Sequence, residues 1–174
     1  SNTKPVIESL EANSLGIDVD SNGNGIETIE TQFSTKLTGT YYYMIVPVTP
    51  TATNPPENAF KVPEISEVVF PQDYKLPAGY IVEKINVNNI STGQAVELSN
   101  QTILYGKGTA NELTNSFQLL HPKLKLETNK TGYKIYMVLQ DRNGNYSALK
   151  EADYIKDNEK PQIIKDQSYF VNPN

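Results

Sequence analysis

The sequence predicts an all-β sandwich, on three observations. In the segment 133–140, Tyr133, Ile135, Met137 and Leu139 alternate with Lys134, Tyr136, Val138 and Gln140, the period of a strand with one face in a core. This segment runs into Asp141-Arg-Asn-Gly-Asn145, where Asn143-Gly144 tolerates positive φ and closes a hairpin, so that Tyr146 onward can return as the partner strand. Further strand-length segments rich in Ile, Val, Thr and Tyr recur between Gly, Asn and Pro turns, and a single stretch reads as helix.

Taken in order, Lys4-Pro5-Val6-Ile7 places a proline at the start of an edge strand, one of the few places where a sheet accepts it. Leu10–Ile17 continues this strand or forms a loop. Gly25–Ser34 is a strand with Glu27, Ile29, Thr31 and Phe33 on one face, and Ile29 and Phe33 are expected inside. After a turn at Ser34–Gly39, Thr40–Val48 is apolar on both faces. It therefore reads as a central strand covered by neighbours on one side and by an insertion or a partner on the other. Tyr42, Met44 and Val46 are assigned to its core face.

Thr49–Pro56 is a stiff proline-rich loop. Pro63–Phe70 fits a short helix, with proline and acids early and Ile65, Val68 and Val69 on one face; Pro71 stops it. Tyr80–Asn88, Ala95–Leu98 and Gln101–Tyr105 follow as short strands, the last broken by Gly106-Lys-Gly108. Ser116–Leu120 is another strand, with Phe117 and Leu119 inward. Leu124 and Leu126 are apolar anchors before a turn at Thr128–Gly132. Residues 55–110 together read as an inserted segment carrying the short helix and extra strands.

The chain ends as it began: Lys160-Pro161-Gln-Ile-Ile repeats the opening Lys4-Pro5-Val-Ile behind a polar linker, Asp157–Lys160. The division expected is a tag remnant at Ser1-Asn2, one domain over 3–156, and a linker with the start of a following tandem repeat over 157–174.

Composition narrows the chemistry. The chain has no Cys and no Trp, which removes disulfides, thiol catalysis and Cys-based zinc sites and leaves stability to packing. A net charge of −5 with scattered lysines argues against a nucleic-acid partner. No segment is apolar for long enough to span a membrane as a helix. The lone histidine, His121, precedes Pro122 and reads as a loop residue at the solvent edge.

One segment has the pattern of a metal loop. Asp18, Asp20, Asn22 and Asn24 alternate with Gly23 and Gly25 nearby, the way short calcium loops gather oxygen ligands around a hard cation. Counted from Asp18 or from Asp20, the twelfth position is Ile29 or Thr31, so the bidentate Glu is missing in both registers. An Asn/Gly-rich turn between two strands accounts for the same residues.

Two stretches carry a family likeness. Gly39-Thr-Tyr-Tyr-Tyr-Met-Ile-Val-Pro47 before a proline-rich loop, and Tyr133–Ser147 ending in Gly-Asn-Tyr-Ser, resemble the immunoglobulin-like and fibronectin type III-like repeats of bacterial surface and secreted proteins. The likeness covers about half of the chain and departs over residues 55–110. It implies an immunoglobulin/fibronectin type III-like β-sandwich, an extracellular location, and Tyr133 at the tyrosine-corner position with Leu126 as its packing partner. It also implies a non-catalytic spacer or adhesion module whose partners are the neighbouring domains of its own chain and a glycan or a host or cell-wall ligand. A carbohydrate-binding module appended to a glycan-active enzyme is the alternative. Tyr41, Tyr43, Tyr74, Tyr80, Tyr105, Tyr146 and Tyr154 are the aromatics that could serve it. Against an enzyme, the acidic pairs Asp18/Asp20 and Glu27/Glu30 are not placed across a cleft by anything in the sequence, and Asp141 reads as a turn residue that accepts backbone N–H bonds.

Overall fold

The structure, a computed structural model, describes residues 3–19, 21–23, 25–48, 61–76, 78–84, 102–112, 114–124 and 132–155. Eight strands fall within them: β1 (Ile7–Val19), β2 (Gly25–Thr35), β3 (Gly39–Val48), β4 (Ile81–Lys84), β5 (Thr102–Ala110), β6 (Thr114–Leu124), β7 (Gly132–Gln140) and β8 (Lys150–Ile155). One helix, α1 (Ile65–Val69), and a 3-10 turn at Pro71–Asp73 lie between β3 and β4. The strands form two sheets, β1-β2-β6 and β4-β5-β3-β7-β8. All pairings are antiparallel except β4 with β5, which run parallel and are joined by the long connection such a pair requires.

The sheets face each other across one core. Ile7, Leu10 and Phe33 from the smaller sheet meet Tyr41, Tyr43, Ile45, Leu104, Tyr133, Ile135, Met137 and Leu139 from the larger. The alternation in β7 is seen as the pattern predicts, with Tyr133, Ile135, Met137 and Leu139 all buried on the sandwich side. In β2, Thr31, Phe33 and Thr35 are buried while Gln32 and Ser34 are half-exposed. The side chains of Ile29, Phe117 and Leu119 lie outside the described residues. So do the loop 49–60, the segment 85–101 with the strand expected at Ala95–Leu98, Leu126 with the turn after it, and 157–174.

The larger sheet is buried on its second face too. Met44, Val46, Ile103, Tyr136 and Val138 form a separate cluster with Val68 and Tyr74, packed by Ile65, Val69 and Leu76. The segment 61–76 therefore caps the outer face. Its helix begins at Glu64 with a capping box: the Glu67 carboxylate accepts the Glu64 N–H at 2.9 Å. The Tyr74 hydroxyl donates to the Lys61 carbonyl and so ties the end of the segment to its start. β3 is covered on both faces, as its composition predicts.

Several expectations need correction. In β3 the sandwich face carries Tyr41, Tyr43 and Ile45, whereas Met44 and Val46, with Tyr42, pack beneath the capping segment. A strand apolar on both faces gives no alternation to choose between them. Gly106-Lys-Gly108 does not break β5, which continues to Ala110. Gly106 sits opposite Tyr43 and Gly108 opposite Tyr41, and the two rings lie where glycine Cβ atoms would be. The glycines are thus the space into which the inner tyrosines fold. β5 itself belongs to the sandwich through Leu104 and Ala110, so it is not an extra strand of an insertion. His121 is a strand residue of β6, paired with Glu27 of β2, and not a loop residue; Pro122 follows it on this edge strand. Tyr146 makes only an isolated bridge to Gln140, and the returning strand starts at Lys150.

Two outcomes test this packing. A Cβ on Gly106 would lie 2.5 Å from the Tyr43 hydroxyl and 2.7 Å from Cζ of a fully buried ring, so Gly106→Ala is expected to cost about 1–3 kcal/mol in urea denaturation. A cost near zero would show that the ring can leave the core. Burial first, and then Glu67, pushes the Tyr74 hydroxyl up to about 12; burial first, and then Glu151, does the same for Tyr136. An unfolded tyrosine ionises near 10, so the stabilisation is fully present below pH 10 and is lost as pH rises towards 12. Tyrosinate absorbance and loss of the β-sheet circular dichroism signal should therefore rise together across that window. Titration of all tyrosines near pH 10 with the sheet intact would contradict it.

Candidate functional site

The β7–β8 turn shows how local sequence places a carboxylate. The Asp141 Oδ1 accepts the N–H groups of Asn143 and Asn145, both at 2.9 Å, and Oδ2 accepts Asn145 Nδ2 at 3.3 Å. Gly144, at φ +88°, lets the backbone turn back. Desolvation alone would raise the Asp141 pKa, but hydrogen bonds from Asn145, Asn143 and Gly144 outweigh it and hold the carboxyl below its ordinary value. Just beyond, buried Ser147 accepts the Leu139 N–H at 2.9 Å through Oγ and donates its own N–H to the Leu139 carbonyl at 2.8 Å. Asp141 is a turn residue with its lone pairs in use, as expected from the Asp-x-Asn-Gly pattern.

The Asp18–Asn24 segment closes the β1–β2 hairpin. Asp18 belongs to β1, opposite Ile26; Asn22 is exposed in the turn; Asp20 and Asn24 lie outside the described residues. Among the described residues no three His, Cys, Asp or Glu side chains converge on a point where a metal could sit. Asn22 and Gly23, the latter at φ +80°, are turn residues between the two paired strands.

The arrangement with most binding chemistry lies on the outer face of the larger sheet, where the capping segment ends. A pocket of about 330 Å³ has Val68 and Val69 of α1 on one side and the sheet on the other. Tyr42, Tyr105 and Tyr146 supply its aromatic walls, with Phe70 at its edge, 60% exposed. Lys84 and Lys107 complete it, and among the described residues no carboxylate lines it. The register explains this grouping: Lys107 is opposite Tyr42 across β5 and β3, and Lys84 is opposite Tyr105 across β4 and β5. The Tyr42 and Tyr146 rings lie 6.5 Å apart and are inclined at 60°, so they wall a cavity and do not make a flat platform. The Tyr42 hydroxyl donates to Gln140 Oε1 at 3.1 Å, and Gln72 Nε2 donates to the Tyr105 hydroxyl at 3.4 Å. Both amides steady a ring and keep polar capacity beside the pocket.

Of the tyrosines singled out in the sequence, Tyr105 and Tyr146 line this pocket. Tyr41, Tyr43 and Tyr74 are buried, Tyr80 is half-exposed elsewhere, and the side chain of Tyr154 lies outside the described residues. Tyr133 is buried, as the alternation of β7 predicts. Sequence reasoning missed Tyr42, Phe70, Lys84 and Lys107. A signal did exist for Lys107: flanked by two glycines that face the core, it must point to the opposite side.

A second, charged cleft of about 380 Å³ opens at one end of the sandwich between Lys4, Glu112, Asp141 and Arg142. Of the two acids that line it among the described residues, Asp141 is engaged by the turn. Among the described residues no helix is long and apolar enough to cross a membrane. Comparison with known proteins returned no match among family models, curated proteins or solved structures.

If the Asp18–Asn24 turn holds no ion, millimolar calcium leaves the melting temperature unchanged, which is the outcome expected. A rise that Asp20→Ala abolishes would establish a calcium loop by linkage.

Proposed function

We propose that the chain is a non-catalytic immunoglobulin/fibronectin type III-like module of a surface or secreted multidomain protein, acting outside the cell as a spacer and adhesion unit between neighbouring domains. The observation that carries this reading is the strand order. β1-β2-β6 face β5-β3-β7-β8, and the chain crosses between the sheets from β2 to β3, from β5 to β6 and from β6 to β7. That arrangement supports the likeness drawn from Gly39–Pro47 and Tyr133–Ser147, with β4 as an addition at one edge. A fold of this kind states nothing about its ligand, which has to come from a site.

The pocket under α1 favours a second reading, a carbohydrate-binding module beside a glycan-active enzyme. Aromatic walls with amides and ammonium groups at their edges match the alternating apolar and hydroxylated faces of a sugar ring. Both readings make the chain a binder without turnover. The two carboxylates whose contacts support this are occupied structurally, Asp141 in its turn and Glu67 in the helix cap.

An array of bacterial, plant and host glycans and matrix proteins, probed with labelled protein, tests the role. Retention of particular saccharides with no cleavage products is expected. An array that stays empty would leave only the spacer role, and release of products would make the chain an enzyme.

A further inference from the structure

We propose that the pocket between α1 and the outer face of the larger sheet binds a saccharide ring bearing one negatively charged group. The ring would sit between the tyrosines and Phe70, and its charge would be met by Lys84 and Lys107. This rests on the binding-module reading above and specifies the ligand of its site.

Three observations lead there. The first is the shape of the pocket. At about 330 Å³ it lies at the low end of small-molecule pockets, roughly 300–1,000 Å³, which suits a single ring or a chain end. The inclined Tyr42 and Tyr146 rings wall the ligand in, whereas a flat polysaccharide surface calls for coplanar aromatics. The second is charge. The chain carries −5 overall, yet among the described residues this pocket has two ammonium groups and no carboxylate in its lining. Neither lysine has an ion-pair partner among the described residues. Two neighbouring acids are turned to other work: Glu83 alternates to the opposite face of β4 from Lys84, and Glu67 is buried in the helix cap. An anionic group entering here meets uncompensated positive charge beside an apolar wall, where screening is weaker than in open water.

The third is the floor, made of strands inside the sheet. β3 is paired on both sides, with β5 and with β7, so its backbone donors are spent on the ladders; β5 is paired with β3 over Leu104–Ala110 and with β4 over Thr102–Tyr105. A peptide that adds as a strand needs a free edge, and β3 beneath the Tyr42 ring offers none. Recognition must come from side chains: stacking and C–H contact with Tyr42, Tyr105, Tyr146 and Phe70, hydroxyl pairing with Gln72 and Gln140, and charge pairing with the lysines. A nucleic-acid strand shares the stacking, but it is a polyanion and would be repelled by the acidic remainder of the surface.

The exposed position of three of these residues gives clean variants. Phe70 is 60% exposed, and Lys84 and Lys107 are exposed, so Phe70→Ala, Lys84→Gln and Lys107→Gln leave both cores intact. Calorimetric titration of the full chain would use methyl glucuronide and galacturonide, the neutral methyl glucoside and galactoside, the corresponding sugar sulfates, and a nucleoside monophosphate. At least one charged sugar is expected to bind about tenfold more tightly than its neutral counterpart, and added salt should narrow that gap. Whether the uronide or the sulfate binds identifies the source of the charge. Each Lys→Gln change should remove most of the gap while sparing the neutral sugar, and Phe70→Ala should weaken all sugars alike. Equal binding of charged and neutral sugars overturns the charge assignment. Tighter binding of the nucleotide than of any sugar overturns the saccharide assignment. If the glycan array retains saccharides that none of the three variants affects, the binding-module reading stands and the pocket is the wrong site. If the array and the titrations are both empty, both fall.

Discussion

Burial of β3 on both of its faces is the constraint from which the rest of the structure follows. A strand in a two-layer sandwich needs one apolar face; β3 has two, Tyr41, Tyr43 and Ile45 on one side and Met44 and Val46 on the other. Leaving the second face in water would expose a broad apolar patch, at about 25 cal/mol for each Å². The chain covers it with the segment 61–76, whose short helix could not persist alone and is held by packing. The capping box, the Tyr74 contact with the Lys61 carbonyl and the insertion of Val68 are the means by which a five-residue helix keeps one position on the sheet.

On the inner face a different problem is solved. Two large rings from neighbouring inward positions of β3, Tyr41 and Tyr43, must fit in the gap between sheets already filled by Phe33 and Ile45. They do so by lying over Gly108 and Gly106 of the adjacent strand, with stacked centroids 6.0 Å apart. Glycine in a strand interior costs conformational entropy, and here the apolar area of two tyrosines compensates for it. The same register puts Lys107 on the outer face and Tyr42 opposite it. Packing inside the sandwich therefore fixes where the pocket on the outside obtains its charge.

The pocket exists because the cap is short. The segment covers Met44, Val46, Ile103, Tyr136 and Val138, and stops before the sheet does, so Tyr42, Tyr105 and Tyr146 remain half-exposed beyond Phe70. Amphipathic rings suit that border, with their faces against apolar neighbours and the Tyr42 and Tyr105 hydroxyls held by Gln140 and Gln72. Each of these contacts joins elements far apart in the chain, Tyr42 to Gln140 among them.

Periodicity and turn chemistry are local properties, and by themselves they determined the strands β2, β3 and β7, the helix at Ile65–Val69 and its stop at Pro71. They also determined the Asp141 turn and the need for β3 to be covered twice. Each of these rests on residues within a few positions of one another, where strand alternation, proline geometry and Asx hydrogen bonding act directly. Only the tertiary structure decided which face of β3 meets the sandwich, because a strand apolar on both sides carries no alternating signal. The continuity of β5 through Gly106 and Gly108 was likewise decided there, since glycines that read as a break become the seats of two rings only once β3 lies beside them. The assembly of Tyr42, Phe70, Lys84, Lys107 and Tyr146 into one pocket depends on strand order and register, long-range pairings that no short window of sequence encodes.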